Sequence, residues 1–357
     1  MSRIILTTGG TGGHIFPAIA TAQAIRRMEP EAELLFIGST YGPEGQIAIQ
    51  AEIPFLALPS RGFLGRGLRA LPAAAGMASA VLRACGALRK HKPDAVAVFG
   101  GYASFAPGIA AKFMGVPLLL HEQNAIAGTS NRILGRWANV ICTSLPDTKG
   151  FGRECKITGN PVRADIAARP NRGAHNSKNL LVIGGSQGAH ALNEFIVSIL
   201  DELKSNNISI LHQTGKNDYN FVKQAYLEAG FDASRVHPFI EDMKAAYEWA
   251  DFAFCRAGAS TIAELCVTGL GALLVPFPAA IHDHQTINAK IMINNGAAQL
   301  LPETELGQAR EKLIAIMNDP DQQRKMGEAA LKLAHPDAAD AVATEILNLA
   351  HSSKGRR

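Results

Sequence analysis

The sequence predicts an α/β protein built as two parallel-sheet domains. Short apolar runs alternate with helix-like segments along most of the chain, the pattern of strands covered by helices on both faces. The glycine-rich stretch Thr8-Gly9-Gly10-Thr11-Gly12-Gly13-His14 follows the apolar run Ile4-Ile5-Leu6 and opens a helical segment at Ile15. The same device recurs at Ile183-Gly184-Gly185-Ser186-Gln187-Gly188-Ala189, behind Leu180-Leu181-Val182. Glycines at such a junction let the backbone turn tightly and approach a ligand, and the following helix N-terminus favours negative charge. A diphosphate or an activated sugar nucleotide is the natural guest, with two domains facing one ligand.

In chain order, the first half offers strands at 4–8, 33–38, 54–58, 95–99, 117–121 and 140–143, with helices such as 17–28 and 71–90 between them. The second half repeats the scheme at 179–183, 208–213, 235–239, 252–255 and 272–276, with helices such as 189–204 and 261–267. The turn-rich Gly159-Asn160-Pro161 marks the boundary, giving domains 1–160 and 161–357. Asn171 to Lys178 is a polar loop, and from Glu303 onward the pattern is wholly helical up to a basic tail.

Composition narrows the function classes. The 357 residues are 47% hydrophobic and 18% charged, enough for two sizeable cores. A net charge of +4 gives no global nucleic-acid-binding character. The five cysteines, Cys85, Cys142, Cys155, Cys255 and Cys266, form no CxxC and point to a reducing compartment. No signal-peptide pattern or membrane-spanning run is present, so a soluble or peripheral protein is expected. Charge is nevertheless uneven. No acidic residue lies between Glu52 and Asp94, an interval holding Arg61, Arg66, Arg69, Arg83, Arg89, Lys90 and Lys92 beside Phe63, Leu64, Leu68, Leu71, Met77, Val81, Leu82 and Leu88. Apolar residues ringed by cations suit an anionic bilayer surface; an ordinary packing helix with a solvated basic face is the alternative.

Several motifs bear on chemistry. The first glycine loop is no dinucleotide fingerprint, because the second strand ends Phe36-Ile37-Gly38-Ser39-Thr40 without an acid for the ribose, and no GxxxxGK[ST] occurs. His14, at the junction of loop and helix, is a candidate general base or phosphate contact, against a capping or core role. His121-Glu122-Gln123-Asn124 ends a strand where α/β crevices form. Arg256 to Glu264 reads as strand, glycine turn and helix start, a third phosphate cradle, with Glu264 able to accept two hydrogen bonds from a ribose diol. His282-Asp283-His284 lacks a third metal ligand, and Asp319-Pro320-Asp321 fits helix capping better than a divalent-ion motif, so neither metal nor other cofactor is expected.

Taken together, TGGTGGHIFPAIA, FGGYAS at Phe99–Ser104, HEQNAIAG, GNPVR at Gly159–Arg163, GGSQGA and the RAGAS…AEL segment resemble the bacterial MurG family, in order and spacing from Thr8 to about Asn288. These are N-acetylglucosaminyltransferases that convert lipid I to lipid II at the cytoplasmic face of the membrane. The resemblance implies a GT-B architecture: two Rossmann-like domains with a cleft between them, the last helices (about 335–352) packing back on the first domain. It implies UDP-GlcNAc as donor, held mainly by the second domain, with Arg163, Ser186 and the backbone of Ile240 around uracil and diphosphate. Ala259, Ser260, Thr261, Ile262, Ala263 and Glu264 would hold phosphate and ribose, and Gln285 the sugar. Thr11, Gly12, Gly13 and Asn124 would close on the donor beside the lipid I acceptor. It further implies an inverting transfer without an obligatory metal, with His14 or Glu122 as the base, and a peripheral location on an anionic membrane among proteins of cell-wall synthesis. Arg66, Arg69, Arg83 and Arg89 would face that membrane. A UDP-GlcNAc 2-epimerase and a non-catalytic nucleotide-binding protein are the alternatives. The chain departs from the family pattern at Ala257, where a serine is common, at His284-Gln285, where some members carry Gln-Gln, and at Ala127, where a proline is common.

Overall fold

Each half of the chain folds around its own all-parallel sheet. The computed structural model describes residues 1–59, 70–167, 177–280 and 283–355. The chain divides into two units, Met1–Ala164 with Pro336–Arg357, and Asp165–His335.

In the first unit, β1 (Arg3–Thr7), β2 (Glu33–Ser39), β3 (Phe55–Leu58), β4 (Ala95–Val98), β5 (Leu118–Glu122), β6 (Val140–Thr143) and β7 (Lys156–Ile157) line up in the order β3-β2-β1-β4-β5-β6-β7. Alternating residues feed two cores, as the two-residue period of a strand requires. Ile4, Leu6, Ala95, Ala97 and Leu119 pack on one face with Ile15, Ala18, Ile19 and Ile25 of α1 (Gly12–Met28). Ile5, Val96, Val98, Leu118 and Leu120 pack on the other, against Ala84, Ala87 and Leu88 of α3 (Ala70–His91) and Ala110 of α4 (Phe105–Phe113). Between β2 and β3 lies α2 (Glu44–Gln50), and α5 (Thr129–Leu134) joins β5 to β6.

The C-terminal helix belongs to this first core. Val342, Ala343, Ile346 and Ala350 of α15 (Ala338–Lys354) are buried beside α1. Polar pairs accompany the packing: Arg27 with Asp340 at 2.6 Å, Lys156 with Glu345 at 2.7 Å, and His351 with Glu29 at 3.1 Å.

In the second unit, β8 (Asn179–Ile183), β9 (Ser209–Gln213), β10 (Val236–His237), β11 (Phe252–Cys255), β12 (Ala272–Leu274) and β13 (Ala298–Leu300) run in the order β10-β9-β8-β11-β12-β13. Leu180, Val182, Phe252 and Phe254 meet Leu192, Phe195 and Ile196 of α7 (His190–Ser198). Further α-helices among the described residues are α6 (Ala164–Ala167), α8 (Leu200–Ser205), α9 (Tyr219–Glu228), α10 (Met243–Trp249), α11 (Ala259–Thr268), α12 (His284–Asn294), α13 (Ala309–Met317) and α14 (Pro320–Leu331).

In both sheets the chain first winds outward from the central strand and then returns to the other side of it. The order therefore reverses between β1 and β4, and between β8 and β11. Ligand crevices in open α/β sheets form at such reversals, outside the carboxyl ends of the strands.

Candidate functional site

At the first reversal, β1 runs into the loop Thr8–Thr11 and then α1. Gly10 takes φ +110°, a backbone state that favours glycine. A Cβ on Gly9 would come within 2.4 Å of the Ala103 Cβ, and one on Gly101 within 1.8 Å of the Gly9 carbonyl oxygen. The two glycine segments thus interlock backbone to backbone, and Thr8 Oγ1 donates to the Gly100 carbonyl at 3.1 Å. Helix α1 has neither a side-chain cap at Thr11 nor an acid in its first turn.

This loop differs in one respect from an open phosphate cradle. Glu44, fully buried at the start of α2, accepts a 2.9 Å hydrogen bond from the Gly10 N–H through Oε1. That amide is therefore committed to a carboxylate of the protein. The sequence reading missed Glu44, because nothing in Gly-Pro-Glu-Gly marks a buried acid.

His14 is half-buried, its ring lying against Gly100, where a Cβ would come within 3.3 Å of it. Its Nδ1 is 2.7 Å from Oε1 of Gln123, the residue just beyond β5. The Gln123 amide donates to the Phe99 carbonyl at 3.0 Å and lies 3.1 Å from His121 Nδ1. His121 Nε2 in turn lies 3.0 Å from the Gly159 carbonyl oxygen. Burial pushes His121 down to about 4, which keeps its ring neutral at neutral pH. His14 and the HEQN segment, separate in sequence, therefore form one hydrogen-bonded row.

Glu122, the other candidate base, is differently engaged. It is 1% exposed, and its two oxygens accept from four N–H groups. Oε1 takes Asn124 N at 3.0 Å and Asn124 Nδ2 at 3.1 Å; Oε2 takes Gly128 N at 3.1 Å and Asn131 Nδ2 at 2.8 Å. This carboxylate ties together the 122–131 turn and has its acceptor positions filled by the protein.

Arg163 belongs to the first unit, its guanidinium carbon 5.4 Å from the centre of the Phe16 ring on α1, and its buried Nε meets no hydrogen-bond acceptor among the described residues. Thr11 is exposed and Gly12 buried at the helix start, while Gly13 and Asn124 are half-buried.

In the second unit the reversal brings together the loop after β8 and the start of α11. Gly185 and Gly188 take φ +86° and +80°, and a Cβ on Gly188 would come within 2.2 Å of the Thr214 carbonyl oxygen. Ser186 is exposed at the tip of that loop. Helix α11 begins after Gly258 with no side-chain cap and no acid in its first turn, and the positive end of its dipole lies at Ala259, Ser260 and Thr261. It stops at Gly269, whose φ of +61° is the left-handed C-terminal turn. Ile262 is buried, and Ala263 and Glu264 are half-buried. Glu264 Oε2 accepts from the hydroxyl of buried Tyr247 at 2.7 Å, a partner the sequence reading did not identify.

Other residues prove to be spoken for. Arg256, beside this cradle, is 8% exposed, pairs with Glu303, donates to the Val275 and Pro276 carbonyls at 3.3 and 3.2 Å, and lies over Phe277. The Ile240 N–H donates to Gln213 Oε1 at 2.8 Å, so that backbone donor is already used within the protein. Gln285 Oε1 accepts from Phe277 N at 2.9 Å, a bond that does not use its amide N–H groups. Ala257, at the position where a serine is common, is fully buried.

Asp319 caps α14 by accepting from Gln322 N at 2.9 Å, as expected of a capping residue followed by proline. His282 lies outside the described residues. Among the described ones, no group of three or more His, Cys, Asp or Glu side chains is placed to hold a metal ion.

On α3, Leu82, Arg83, Arg89 and Lys90 are exposed, whereas Leu88 is 1% exposed and packs inward, so it is not part of an apolar surface patch. Arg66 and Arg69, with Arg61, Phe63, Leu64 and Leu68, lie outside the described residues. The neighbouring α4 adds Lys112 and Phe113, the latter 77% exposed. No helix among the described residues is long and apolar enough to cross a membrane.

The chain matches the family models for the glycosyltransferase family 28 N-terminal domain over residues 4–143 and C-terminal domain over residues 179–342. It is 45% identical, over 98% of both chains, to the UDP-N-acetylglucosamine--N-acetylmuramyl-(pentapeptide) pyrophosphoryl-undecaprenol N-acetylglucosamine transferase of Nitratidesulfovibrio vulgaris strain DP4. Among solved structures it resembles Acinetobacter baumannii MurG, with a TM-score of 0.78 and 32% identity over 98% of this chain and 100% of that one. A UDP-GlcNAc 2-epimerase from Neisseria meningitidis, bound to UDP-GlcNAc, shares the fold at a TM-score of 0.67 and 15% identity over 97% of this chain and 100% of that one.

Proposed function

The chain belongs to the MurG N-acetylglucosaminyltransferases of glycosyltransferase family 28, and we propose that it moves N-acetylglucosamine from UDP-GlcNAc to the C4 hydroxyl of MurNAc in lipid I, forming lipid II for peptidoglycan synthesis. The observation that carries the residue assignment is the contrast between the two candidate bases. His14 keeps Nε2 without a hydrogen bond among the described residues, whereas Glu122 is saturated by four donors.

His14 Nε2 takes the proton of the acceptor hydroxyl as its oxygen attacks the anomeric carbon from the face opposite UDP. The configuration inverts, and the bond to the diphosphate breaks with its electron pair on UDP. The leaving charge is met by the N-terminus of α11 and the backbone around Ser186. Glu264 receives the ribose hydroxyls on the carboxylate that Tyr247 orients, and the Gln285 amide donates to the sugar. The exposed cations of α3, with Leu82 and Phe113, face an anionic bilayer. In this reading the enzyme sits peripherally on the cytoplasmic side, where lipid I and the proteins of cell-wall synthesis are met.

The test is UDP release from UDP-GlcNAc with and without a short-chain lipid I analogue, in the wild type and in His14→Ala. Release only with the analogue, with a disaccharide product, is expected, and the variant should lose about 100-fold or more in turnover. Acceptor-independent release would point instead to an epimerase or hydrolase on this fold. Near-normal turnover by the variant would remove His14 from the base role.

A further inference from the structure

We propose that Gln123 is a positioning residue that sets which nitrogen of His14 carries the proton, holding the ring with Nδ1 protonated and Nε2 bare. This rests on the reading of His14 as the base and assigns the groups that make it one.

Two backbone carbonyls, which can only accept hydrogen bonds, fix the whole row. The Phe99 carbonyl oxygen lies 3.0 Å from one end of the Gln123 amide, so that end must be the NH2 group. The Gly159 carbonyl oxygen lies 3.0 Å from His121 Nε2, so that nitrogen carries the hydrogen of the neutral ring. His121 Nδ1 is then a lone pair, and it receives the second Gln123 N–H across 3.1 Å. With both amide hydrogens committed, the Gln123 oxygen is what faces His14 at 2.7 Å, and Nδ1 of His14 must donate to it. The lone pair of His14 is left on Nε2.

Flipping the amide would set NH2 against the space where His14 presents its own hydrogen, and an oxygen against the Phe99 carbonyl. Gln123 and His121 are 1% and 0% exposed, so water does not offer replacement partners. Gly100 adds a steric limit, since a Cβ there would meet the His14 ring at 3.3 Å and the Asn131 amide at 3.1 Å. The bond from His14 Nδ1 to an amide oxygen persists when Nε2 takes up a proton, because Nδ1 donates in both forms of the ring. The proton moves from the acceptor hydroxyl to Nε2, the new C–O bond forms at the anomeric carbon, and UDP leaves with the electron pair of the broken bond. Gln123 neither gains nor loses a proton. It acts as the orienting third member does in other nucleophile-and-base arrangements, here as a neutral amide.

The first measurement needs no variant. In 15N spectra of the full-length protein with labelled histidines, His14 assigned by its absence in His14→Asn, the expected pattern at neutral pH is protonated Nδ1 and bare Nε2. The reverse pattern overturns the proposal, whatever the activity of His14 variants. The second measurement uses Gln123→Met, which keeps side-chain length and removes the acceptor. A fall of about 10-fold or more in kcat is expected, with the KM for UDP-GlcNAc within about two-fold and the Nδ1 signature of His14 lost. Unchanged kcat in a folded variant overturns the positioning role. Should Gln123→Met fail to fold, the wild-type spectrum still decides. Near-normal turnover by His14→Ala alongside the expected spectrum would instead sink the base assignment and leave the hydrogen-bonding order standing.

Discussion

Glu122 and Gln123 are neighbours at the end of β5 with opposite duties, and their partners separate them. Sequence reasoning could see that polar residues end this strand where ligands bind, but it could not rank His14 against Glu122. The ranking depends on contacts from Asn124, Gly128 and Asn131, which turn Glu122 into the fastening of its own loop. Glu44 was illegible for the same reason: its burial arises from the meeting of α2 with the first glycine loop, which no local spacing encodes. Replacing Glu122 by Gln swaps one acceptor oxygen for an NH2 group facing N–H donors in a buried site. The expected loss is about 1–3 kcal/mol of stability, read as a lower thermal midpoint, with residual turnover in the folded protein. A loss of turnover of about 1,000-fold at an unchanged midpoint would make Glu122 the base after all.

At the scale of elements, the central parallel strands were legible because they are buried on both faces and read as apolar runs, such as Leu118-Leu119-Leu120. The two-residue β7 and three-residue β13 carry no such run and were missed. The strand expected over 235–239 shrinks to Val236–His237, an edge strand bonded only to β9, and Phe239 beyond it is 42% exposed. Helix α3 shows the same dependence on tertiary packing. Its sequence mixes cations and apolar residues, and only the fold tells that Leu82 faces out while Leu88 faces in. Arg83 and Arg89 share the exposed side with Leu82, so replacing both arginines by Ser should weaken binding to anionic vesicles by about 1 kcal/mol each, roughly 30-fold together. The remaining binding should depend less on salt. Leu82→Ser with Phe113→Ser should weaken binding with little change in salt dependence, since it removes apolar insertion instead. Vesicle binding unchanged in both pairs would return this face to an ordinary solvated surface.

At the scale of the whole molecule, each sheet hides one neutral histidine, and this predicts how stability responds to acid. His121 in the first unit is pushed down to about 4, and His212 in the second to about 3, both by burial. His212 is held by Tyr226 at 3.0 Å and by Asn193 at 2.9 Å, so its ring is fixed by neutral partners as that of His121 is. In the unfolded chain both titrate near 6.5. Above that value neither form binds the proton and the contribution of these rings to stability is flat. Below it the unfolded chain takes up protons that the folded rings refuse, so stability falls as pH falls, at up to about 1.4 kcal/mol per pH unit for each ring. The fall for His121 levels off near 4, and that for His212 near 3. The Glu29 carboxyl, despite the upward push of burial, is held below its usual value by hydrogen bonds from His351 and Ser2; its contribution is lost only at lower pH, as it protonates. His190, raised by its hydrogen bond with Asp218, works in the opposite direction but is exposed and screened by solvent. The interval from about 6.5 to 4.5 therefore belongs mainly to the two buried rings. Urea unfolding across that interval should show falling stability in both units, whether they unfold together or as two transitions. A midpoint that stays constant from pH 6.5 to 4.5 would mean that the rings protonate inside the folded protein, and the hydrogen-bonded row from Gly159 to His14 could not then hold its order.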